Sequence, residues 1–154
     1  MSEDTFIDIV VNKKARFEYE IVDTFEAGLV LKGTEVKSVR LKQASIQESY
    51  ARIAKGEVFL VGMNITPYAH GNRFNHDPLR ERKLLLHRQE IKRLTGKVAE
   101  RGFTLVPLKL YFKNGKVKVL LGLGKGKTTH DKRKTIQKRE SDRELRRVIK
   151  ESKR

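Results

Sequence analysis

Cysteine is absent from this sequence of 154 residues. Its absence excludes disulfides, thiolate metal sites and cysteine nucleophiles, and it is typical of proteins from a reducing compartment. Long apolar runs are also lacking, because runs such as 58–61 and 119–121 are far shorter than the roughly 20 residues that span a bilayer. The first eleven residues include three acidic ones and do not have the basic-then-apolar order of a signal peptide. We therefore expect a soluble, cytoplasmic protein without a membrane partner.

Positive charge is in large excess and is unevenly distributed. Lysine and arginine total 35 against 19 aspartate and glutamate residues, which gives a formal net charge of +16. Residues 125–154 hold 13 basic and 5 acidic residues, so these 30 residues carry half of the excess. Such a charge attracts polyanions whatever the underlying fold, and nucleic acid is the first partner to consider.

Composition also changes near residue 125. Residues 133–154 contain four aliphatic side chains and no aromatic residue, glycine or proline. Such a segment cannot bury enough apolar surface to offset a chain entropy of about 1 to 2 kcal/mol per residue. The length of the chain allows one ordinary domain with an appendage. We therefore predict a folded domain over residues 1–124, with nucleic acid as its expected partner, and a basic tail over residues 125–154 that is disordered when free.

Alternation of apolar and polar residues dominates the first part of the chain. It predicts strands over residues 17–22, 28–31, 45–54, 58–65, 104–112 and 116–123. Asn114-Gly115 is a strong hairpin signal between the last two, and Lys55-Gly56 marks a second turn. About six strands with short connections predict a mainly β fold, in the form of a small antiparallel barrel that leaves few free edges.

Two helices interrupt the predicted strands. Thr34 is the expected N-cap of a short helix that ends at Leu41. A longer helix is predicted over 87–101, and Gly102 follows as its C-terminal stop. The polar segment 67–84 is too long for a simple connection and is a candidate functional loop.

Catalysis is poorly supported by the residues present. The glycine-rich segment 122–128 resembles a P-loop, but the first glycine of that motif would fall at position 121, which is Leu121. The four histidines lack the spacing of metal ligands, so roles in loops or caps are favoured over metal binding. We therefore expect no metal, no cofactor and no catalytic residue.

The basic residues of the tail repeat one sign of charge at roughly helical intervals, at 132–134, 138–139 and 146–147. Leu145, Val148 and Ile149 would form a small apolar stripe on such a helix. A permanently solvated tail is one interpretation. We favour a tail that folds on RNA, because phosphates would neutralise the repulsion that opposes the helix.

Five groups of residues carry a family resemblance. They are 12–16 (NKKAR), 25–28 (FEAG), 33–40 (GTEVKSVR), 77–78 with 82–86 (DP and RKLLL), and 124–127 with 130–133 (GKGK and HDKR). With these strings in this order, the chain resembles the SsrA-binding protein (small protein B) family of bacterial trans-translation. The resemblance implies an oligonucleotide-binding-type barrel with two or three short helices.

The resemblance also implies partners. Members of the family bind the tRNA-like domain of transfer-messenger RNA and carry it to stalled ribosomes, with elongation factor Tu reached through the RNA. By this resemblance the tail enters the empty mRNA channel of the small subunit and folds there into a helix. We expect a monomer that acts by binding and positioning.

Residue roles follow from the resemblance in three groups. Those expected at the tRNA-like domain are Asn12, Lys13, Glu26, Lys83, Leu85 and Lys118. Those expected at the ribosomal decoding centre are Lys125, Gly126, Lys127, His130, Asp131, Lys132 and Arg133. Those expected in the tail helix are Lys134, Lys138, Arg139, Arg143, Arg146, Val148 and Ile149. Structural alternatives stay open, because Leu85 could belong to the core and Glu26 to a turn.

Two functions of other classes also stay open. A basic structural ribosomal protein would remain on intact subunits in high salt, whereas an adaptor would leave them. An RNA-processing enzyme would need a clustered acidic or histidine site, which the sequence does not show.

Overall fold

The computed structural model describes residues 4–71, 75–100 and 102–152. Within them, three short helices lie among antiparallel strands, and a longer helix follows the last strand. In chain order the elements are β1 (Phe6–Val11), α1 (Lys13–Glu18), β2 (Tyr19–Leu29), α2 (Gly33–Arg40), β3 (Ala44–Ser45), β4 (Tyr50–Ala54), β5 (Glu57–Val61), β6 (Asn64–Ile65), β7 (Arg82–Leu85), α3 (Arg88–Ala99), β8 (Phe103–Lys113), β9 (Lys116–Gly126) and α4 (Thr129–Ser152).

Among the described residues, six strands form a closed ring. Hydrogen-bonded neighbours follow the order β8, β4, β5, β7, β2 and β9, and β9 pairs again with β8. All of these pairings are antiparallel. Closure leaves the ring without a free edge, while β1 adds to it along β8 and β3 pairs with β6 in a separate small sheet. The prediction of a mainly β fold with an antiparallel barrel of about six strands is confirmed.

Alternate positions of the strands fill the interior of the barrel. β9 illustrates the pattern, because its buried positions in the core are Val117, Val119, Leu121 and Leu123. Leu94 of α3 joins the same core. Burial of each such aliphatic side chain stabilises the fold by about 1.5–3 kcal/mol. The intervening residues of β9, including Lys118, therefore lie on the outer face of the barrel.

Helix α1 covers a second apolar cluster on that outer face. Ala15 is buried against Val106 and Leu108 of β8. The prediction of a strand over 17–22 is wrong at its start, because Phe17 belongs to α1 and the extended chain begins at Tyr19. Alternation alone cannot detect a short helix whose buried side packs on a strand from a distant part of the sequence.

Other strand predictions differ from the structure in their limits. β1 and β7 were not predicted, because β1 does not alternate regularly between apolar and polar residues and β7 has only four residues, two of them charged. The predicted strand over 45–54 is divided into β3 and β4, and that over 58–65 into β5 and β6. The second break lies at Gly62, whose φ is +82° and where a Cβ would be 3.0 Å from the Glu48 carbonyl oxygen.

The two predicted hairpin turns are confirmed. Asn114 and Gly115 have φ values of 51° and 80°, and Lys55 and Gly56 have values of 51° and 73°. Two consecutive residues with positive φ form the turn whose twist matches antiparallel strands. Asn114 also accepts a hydrogen bond from the Thr5 N–H (2.9 Å), so this turn fixes the chain before β1.

Helices α2 and α3 lie close to their predicted places. α2 begins at Gly33 after Lys32, so Thr34 is not its N-cap as predicted. The Glu35 carboxylate accepts from the Lys32 N–H (2.8 Å) and closes the first turn instead. α3 follows His87, whose N–H donates to Glu90 (3.1 Å).

A buried ion pair joins α2 to the segment 67–84. The Arg82 Nε donates to the Glu35 carboxylate, and the side chains of both residues are 0% exposed. Arg80 donates to the other Glu35 oxygen (2.5 Å), and Arg82 donates to the Met63 carbonyl (2.7 Å). His76 is also buried, with its ring nitrogens 2.9 Å from the Thr34 hydroxyl and 2.8 Å from the Ile65 carbonyl. In its described part, the candidate functional loop therefore carries structural contacts.

The basic tail is helical in the structure, as α4, and the last strand ends at Gly126, past the predicted domain limit at residue 124. Thr128 and Asp131 begin this helix, since the Asp131 N–H donates to the Thr128 hydroxyl (3.2 Å) and that hydroxyl donates to the Asp131 carboxylate (3.0 Å). The hydrogen bond from the Thr128 hydroxyl is the largest of the effects that lower the pKa of the Asp131 carboxyl. α4 contacts α1 where Lys132 and Arg139 lie over the Phe17 ring, at 5.8 and 5.7 Å from its centroid.

The side chains of residues 137–150 of α4 are exposed, including Arg139 at the contact with α1. The tail is helical in the structure because its local sequence is rich in helix formers. Disorder of the free tail stays a prediction. We expect α4 to be only partly helical in the isolated protein, because little packing offsets the repulsion among its cations. Backbone carbon chemical shifts of 129–152 test this, and they should become more helical on addition of an RNA fragment. Fully helical shifts at low salt without RNA would contradict it.

Candidate nucleic-acid interface

Three strands bring three of the predicted RNA-binding residues together on the outer face of the barrel. Gly28 of β2 pairs with Leu85 of β7 on one side and with Lys118 of β9 on the other. Glu26 lies two residues before Gly28, on the same face of β2. A surface pocket of about 260 Å³, which we call the Glu26 pocket, lies here. Its lining consists of Glu26, Gly28, Leu85 and Lys118, together with Leu86, His87 and Glu90 at the start of α3.

Gly28 permits the close approach of the side chains around it. A Cβ at this position would lie 3.3 Å from the Leu85 Cβ and 3.7 Å from the Lys118 Nζ. Leu85 is 54% exposed, so it belongs to this surface and not to the core. An exposed leucine between a carboxylate and a lysine forms a surface that combines apolar contact with two signs of charge.

The carboxylate of Glu26 is held by two groups from β8. The Tyr111 hydroxyl donates to one oxygen (2.5 Å), and the Lys113 Nζ lies 3.1 Å from the other. The hydrogen bond from Tyr111 lowers the pKa of Glu26, with a further contribution from Lys113. Burial and the Glu26 bond raise the pKa of the Tyr111 phenol, which therefore stays protonated as a donor. Glu26 is thus a fixed, ionised hydrogen-bond acceptor.

Aromatic rings and cations extend this surface towards β1. The Phe6 ring is 56% exposed and lies 6.0 Å from the Tyr111 ring, centroid to centroid. Lys113 lies 5.7 Å from the Phe6 centroid, and Lys109 lies 5.1 Å from that of Tyr111. Sequence reasoning missed these four residues. Lys109, Tyr111 and Lys113 are alternate residues of one strand and therefore share a face. This spacing was the signal that could have placed them on one surface.

Asn12 lies at the end of β1 and is 3% exposed. Its side-chain nitrogen donates to the carbonyls of Ile46 (3.1 Å) and Pro107 (2.9 Å), and its oxygen accepts from the Ala15 N–H (3.2 Å). The structure therefore uses this amide inside the protein, as the N-cap of α1.

Lys13 follows Asn12 as the first residue of α1 and is exposed. β1, β8, β9 and β2 are successive neighbours, so β1 lies roughly 14 Å from β2 along the sheet at about 4.8 Å per strand. Lys13 is therefore at the flank of the surface that holds Glu26. Lys83 lies on the outer face of β7 and forms an ion pair with Glu57 (3.0 Å).

The glycines of the P-loop-like segment have structural roles. Gly122 and Gly124 lie in β9 and are buried, and a Cβ on Gly122 would be 2.9 Å from Leu108. A Cβ on Gly124 would be 3.0 Å from Ile21. These glycines therefore give room to the apolar cluster under α1, and they do not form a loop around a phosphate.

The residues predicted for the decoding centre lie between β9 and the first turns of α4. Lys125 lies over the Phe103 ring (4.7 Å), and Gly126 has open space around it. The Lys127 N–H donates to the Glu18 carbonyl (2.7 Å), which ties this point of the chain to α1. His130, Asp131 and Arg133 are exposed on α4 and Lys132 is half-buried.

The remaining tail residues lie further along α4. All five cations predicted for the tail helix are exposed, namely Lys134, Lys138, Arg139, Arg143 and Arg146. Val148 and Ile149 are 56% and 46% exposed. Val148, Ile149 and Leu145 share one side of the helix, as the sequence pattern indicates.

Other classes of site find little support in the described part of the chain. It contains no group of three or more histidine, cysteine, aspartate or glutamate side chains placed to hold a metal ion. None of its helices combines the length and the apolar character that crossing a membrane requires.

Comparison with known proteins places the chain in a family. The model of the family described as "SmpB protein" matches residues 9–151. The chain belongs to the SmpB family. Its SmpB relatives include the SsrA-binding protein of Geobacillus sp. (strain WCH70), which is 57% identical over 143 residues, or 93% of this chain and 92% of that protein. That of Anoxybacillus flavithermus is equally identical, over 93% of both chains, and that of Listeria monocytogenes (EGD-e) is 54% identical over 93% of both.

A solved SmpB structure has the same fold. A chain from the structure described as "tmRNA-SmpB: a journey to the center of the bacterial ribosome" is 52% identical, with a TM-score of 0.66. The match covers 78% of this chain and 85% of that one. The family resemblance expected from the sequence is confirmed by these SmpB matches.

Proposed function

We propose that this SmpB-family protein is an RNA-binding adaptor of trans-translation in the cytoplasm. It binds the tRNA-like domain of transfer-messenger RNA and delivers that RNA, with elongation factor Tu bound through the RNA, to stalled ribosomes. It acts by binding and positioning, without a chemical step of its own. Relatives that are 54–57% identical over nearly the whole chain are named SsrA-binding proteins, which supports this proposal.

The observation that carries the proposal is the meeting of Glu26, Leu85 and Lys118 on one outer face of the barrel. A phosphate would be repelled by the Glu26 carboxylate, so this group accepts from a base edge or a 2′-hydroxyl. Lys118 and Lys13 contact neighbouring phosphates, and Leu85 packs on a ribose or base. The face therefore recognises a shaped RNA, which a basic surface alone would not do.

Asn12 acts indirectly in this proposal. Its amide is satisfied within the protein, so it positions α1 and Lys13 and leaves the RNA contact to the lysine. The tail has a separate role. Residues 125–133 bind the decoding centre, and the cations and the apolar stripe of α4 bind the empty mRNA channel.

We predict that Glu26→Ala weakens binding of the tRNA-like RNA by about 10- to 100-fold, since a hydrogen bond to a charged group contributes about 1.5–3 kcal/mol. Tyr111→Phe removes the hydroxyl that orients Glu26 and should cost a smaller factor, about 2- to 10-fold. The two effects should not add, because Tyr111 acts through the carboxylate. Gel-shift titration of the single and double variants measures this coupling.

Glu20→Ala is the matched control, because Glu20 is an exposed glutamate on the same strand but outside the Glu26 pocket. It should bind the RNA as the parent protein does. Equal binding by the Glu26→Ala variant and the parent would refute the proposed interface.

A further inference from the structure

A second groove lies on the other side of Leu85 from the Glu26 pocket. It has a volume of about 760 Å³ and is bounded by the turn between β4 and β5, by β7 and by the first turns of α3. We call it the α3 groove. Leu85 and Leu86 line both depressions, so the α3 groove continues the surface that holds Glu26.

Positive charge dominates the α3 groove. Its lining includes Lys55, Lys83, Arg88 and Lys92, and Glu57 is the one carboxylate among the described residues that line it. Glu57 is paired with Lys83 (3.0 Å), whereas Lys55, Arg88 and Lys92 form no ion pair with any described residue. Three cations therefore face this groove without a counter-charge from the described chain, which favours an anionic occupant.

The positions of these cations are set by regular structure. Lys55 lies in the tight turn, with φ of 51°. Arg88 and Lys92 are separated by one turn of α3 and so lie on the same side of that helix. The cations therefore lie on two rigid elements that face each other across the groove. This arrangement fits a chain with repeated negative charges better than it fits a single small anion.

The rest of the lining indicates which part of a nucleic acid would fit. The described residues of the groove include no aromatic ring on which a base could stack, and Leu86 and Ile91 supply an apolar floor. Contacts from lysine and arginine to phosphates set the position of an RNA without reading its sequence. The groove is thus suited to a sugar–phosphate backbone and not to base recognition.

We propose that the α3 groove binds the phosphate backbone of the same RNA that contacts Glu26. Leu85 separates a recognition surface on one side from a backbone-binding groove on the other. This inference rests on the proposed function and extends the RNA interface to Lys55, Arg88 and Lys92.

The test compares two variants of the full-length chain. Arg88→Gln combined with Lys92→Gln removes two cations from the groove, and Lys97→Gln removes one from α3 outside it. Affinity for the tRNA-like RNA is titrated over a range of salt concentrations. The double variant should bind more weakly, and its slope of log affinity against log salt should be shallower by about 0.7 to 0.9 for each phosphate that the protein no longer neutralises. The Lys97→Gln variant should keep the parent slope.

The Glu26→Ala variant, measured in parallel, separates this inference from the proposed function. If it binds weakly while the double variant keeps the parent slope, the α3 groove is not a backbone site and the proposed function stands. If the parent chain does not bind the RNA, both fail. If the double variant keeps the RNA slope but loses affinity for a poly-glutamate peptide, the groove belongs to an acidic protein partner and the inference is wrong.

Discussion

A chain that ends at Lys134 should bind the tRNA-like RNA as the full chain does and should fail to support tagging on stalled ribosomes. The surface around Glu26 is built from β2, β7, β8, β9 and the start of α3, and none of its contacts comes from the described part of the tail. The removed segment holds the exposed cations and the apolar stripe that we assign to the mRNA channel. Loss of activity should therefore be near complete while the RNA affinity changes by less than about twofold.

Two measurements on the truncated chain decide this outcome. Its RNA affinity is compared by gel shift, and its tagging activity is measured on ribosomes stalled on an mRNA without a stop codon. A full-length Val148→Asp variant is the matched control for the apolar stripe, since it keeps the length of the tail. It should lose much of the tagging and none of the RNA affinity. Normal tagging by the truncated chain would show that the tail is not needed.

The second large effect concerns stability. Glu35→Gln should lower the free energy of unfolding by about 3–5 kcal/mol, because it leaves the fully buried Arg82 guanidinium without its counter-charge. This is a large share of the roughly 5–15 kcal/mol that holds a typical domain folded. Denaturant titration measures the loss. Glu81→Gln is the matched control, because Glu81 forms an ion pair with Arg52 (2.8 Å) but is 48% exposed. The control should cost about 0–1 kcal/mol.

The same ion pair should make the stability of the protein depend on pH in the acid range. Burial of the Glu35 carboxyl raises its pKa, but hydrogen bonds from Arg80, the Lys32 N–H and Arg82 outweigh burial and hold the pKa below the ordinary value of 4.5. The carboxylate therefore stabilises the fold fully above that value, and its contribution is lost as the pH falls through the lower folded-state pKa. The parent protein should lose stability over this acid range more steeply than Glu35→Gln. Parallel pH profiles for the two proteins would contradict this assignment.

Local signals predicted the parts of the fold that depend on few neighbours. Each of the two turns contains a glycine, Gly115 or Gly56, and glycine adopts positive φ whatever its surroundings, so both turns have a local signal. The strands that flank these turns followed from alternation. α1 was missed because its start depends on Asn12, whose amide is held by the carbonyls of Ile46 and Pro107 from distant parts of the chain.

The buried ion pair shows a second limit of sequence reasoning. β7 carries Arg82 on its inward side, and an arginine at a core position argues against a strand when only the sequence is known. The charge is tolerated because Glu35 enters the same site from α2, 47 positions away in the chain. A pairing of that range has no local signal.

The candidate interface divides in the same way. The family resemblance alone pointed to Glu26, Leu85 and Lys118, and the structure places them together. The same reasoning missed Tyr111, which holds the Glu26 carboxylate from 85 positions away, and it did not predict the α3 groove. Both depend on which strands are neighbours in the closed barrel.

The amino-acid sequence alone established the excess of positive charge, its concentration in residues 125–154, the hairpin turns and the family. These properties are additive or local, because each is set by a few adjacent residues or by composition. Which outward-facing side chains meet depends on the closed barrel, because closure of the ring brings β7, β2, β9 and β8 side by side. That neighbourhood places Tyr111 and Lys113 on the Glu26 carboxylate. The packing of α2 and α3 on the barrel sets the buried ion pair of Arg82 and the cations around the α3 groove.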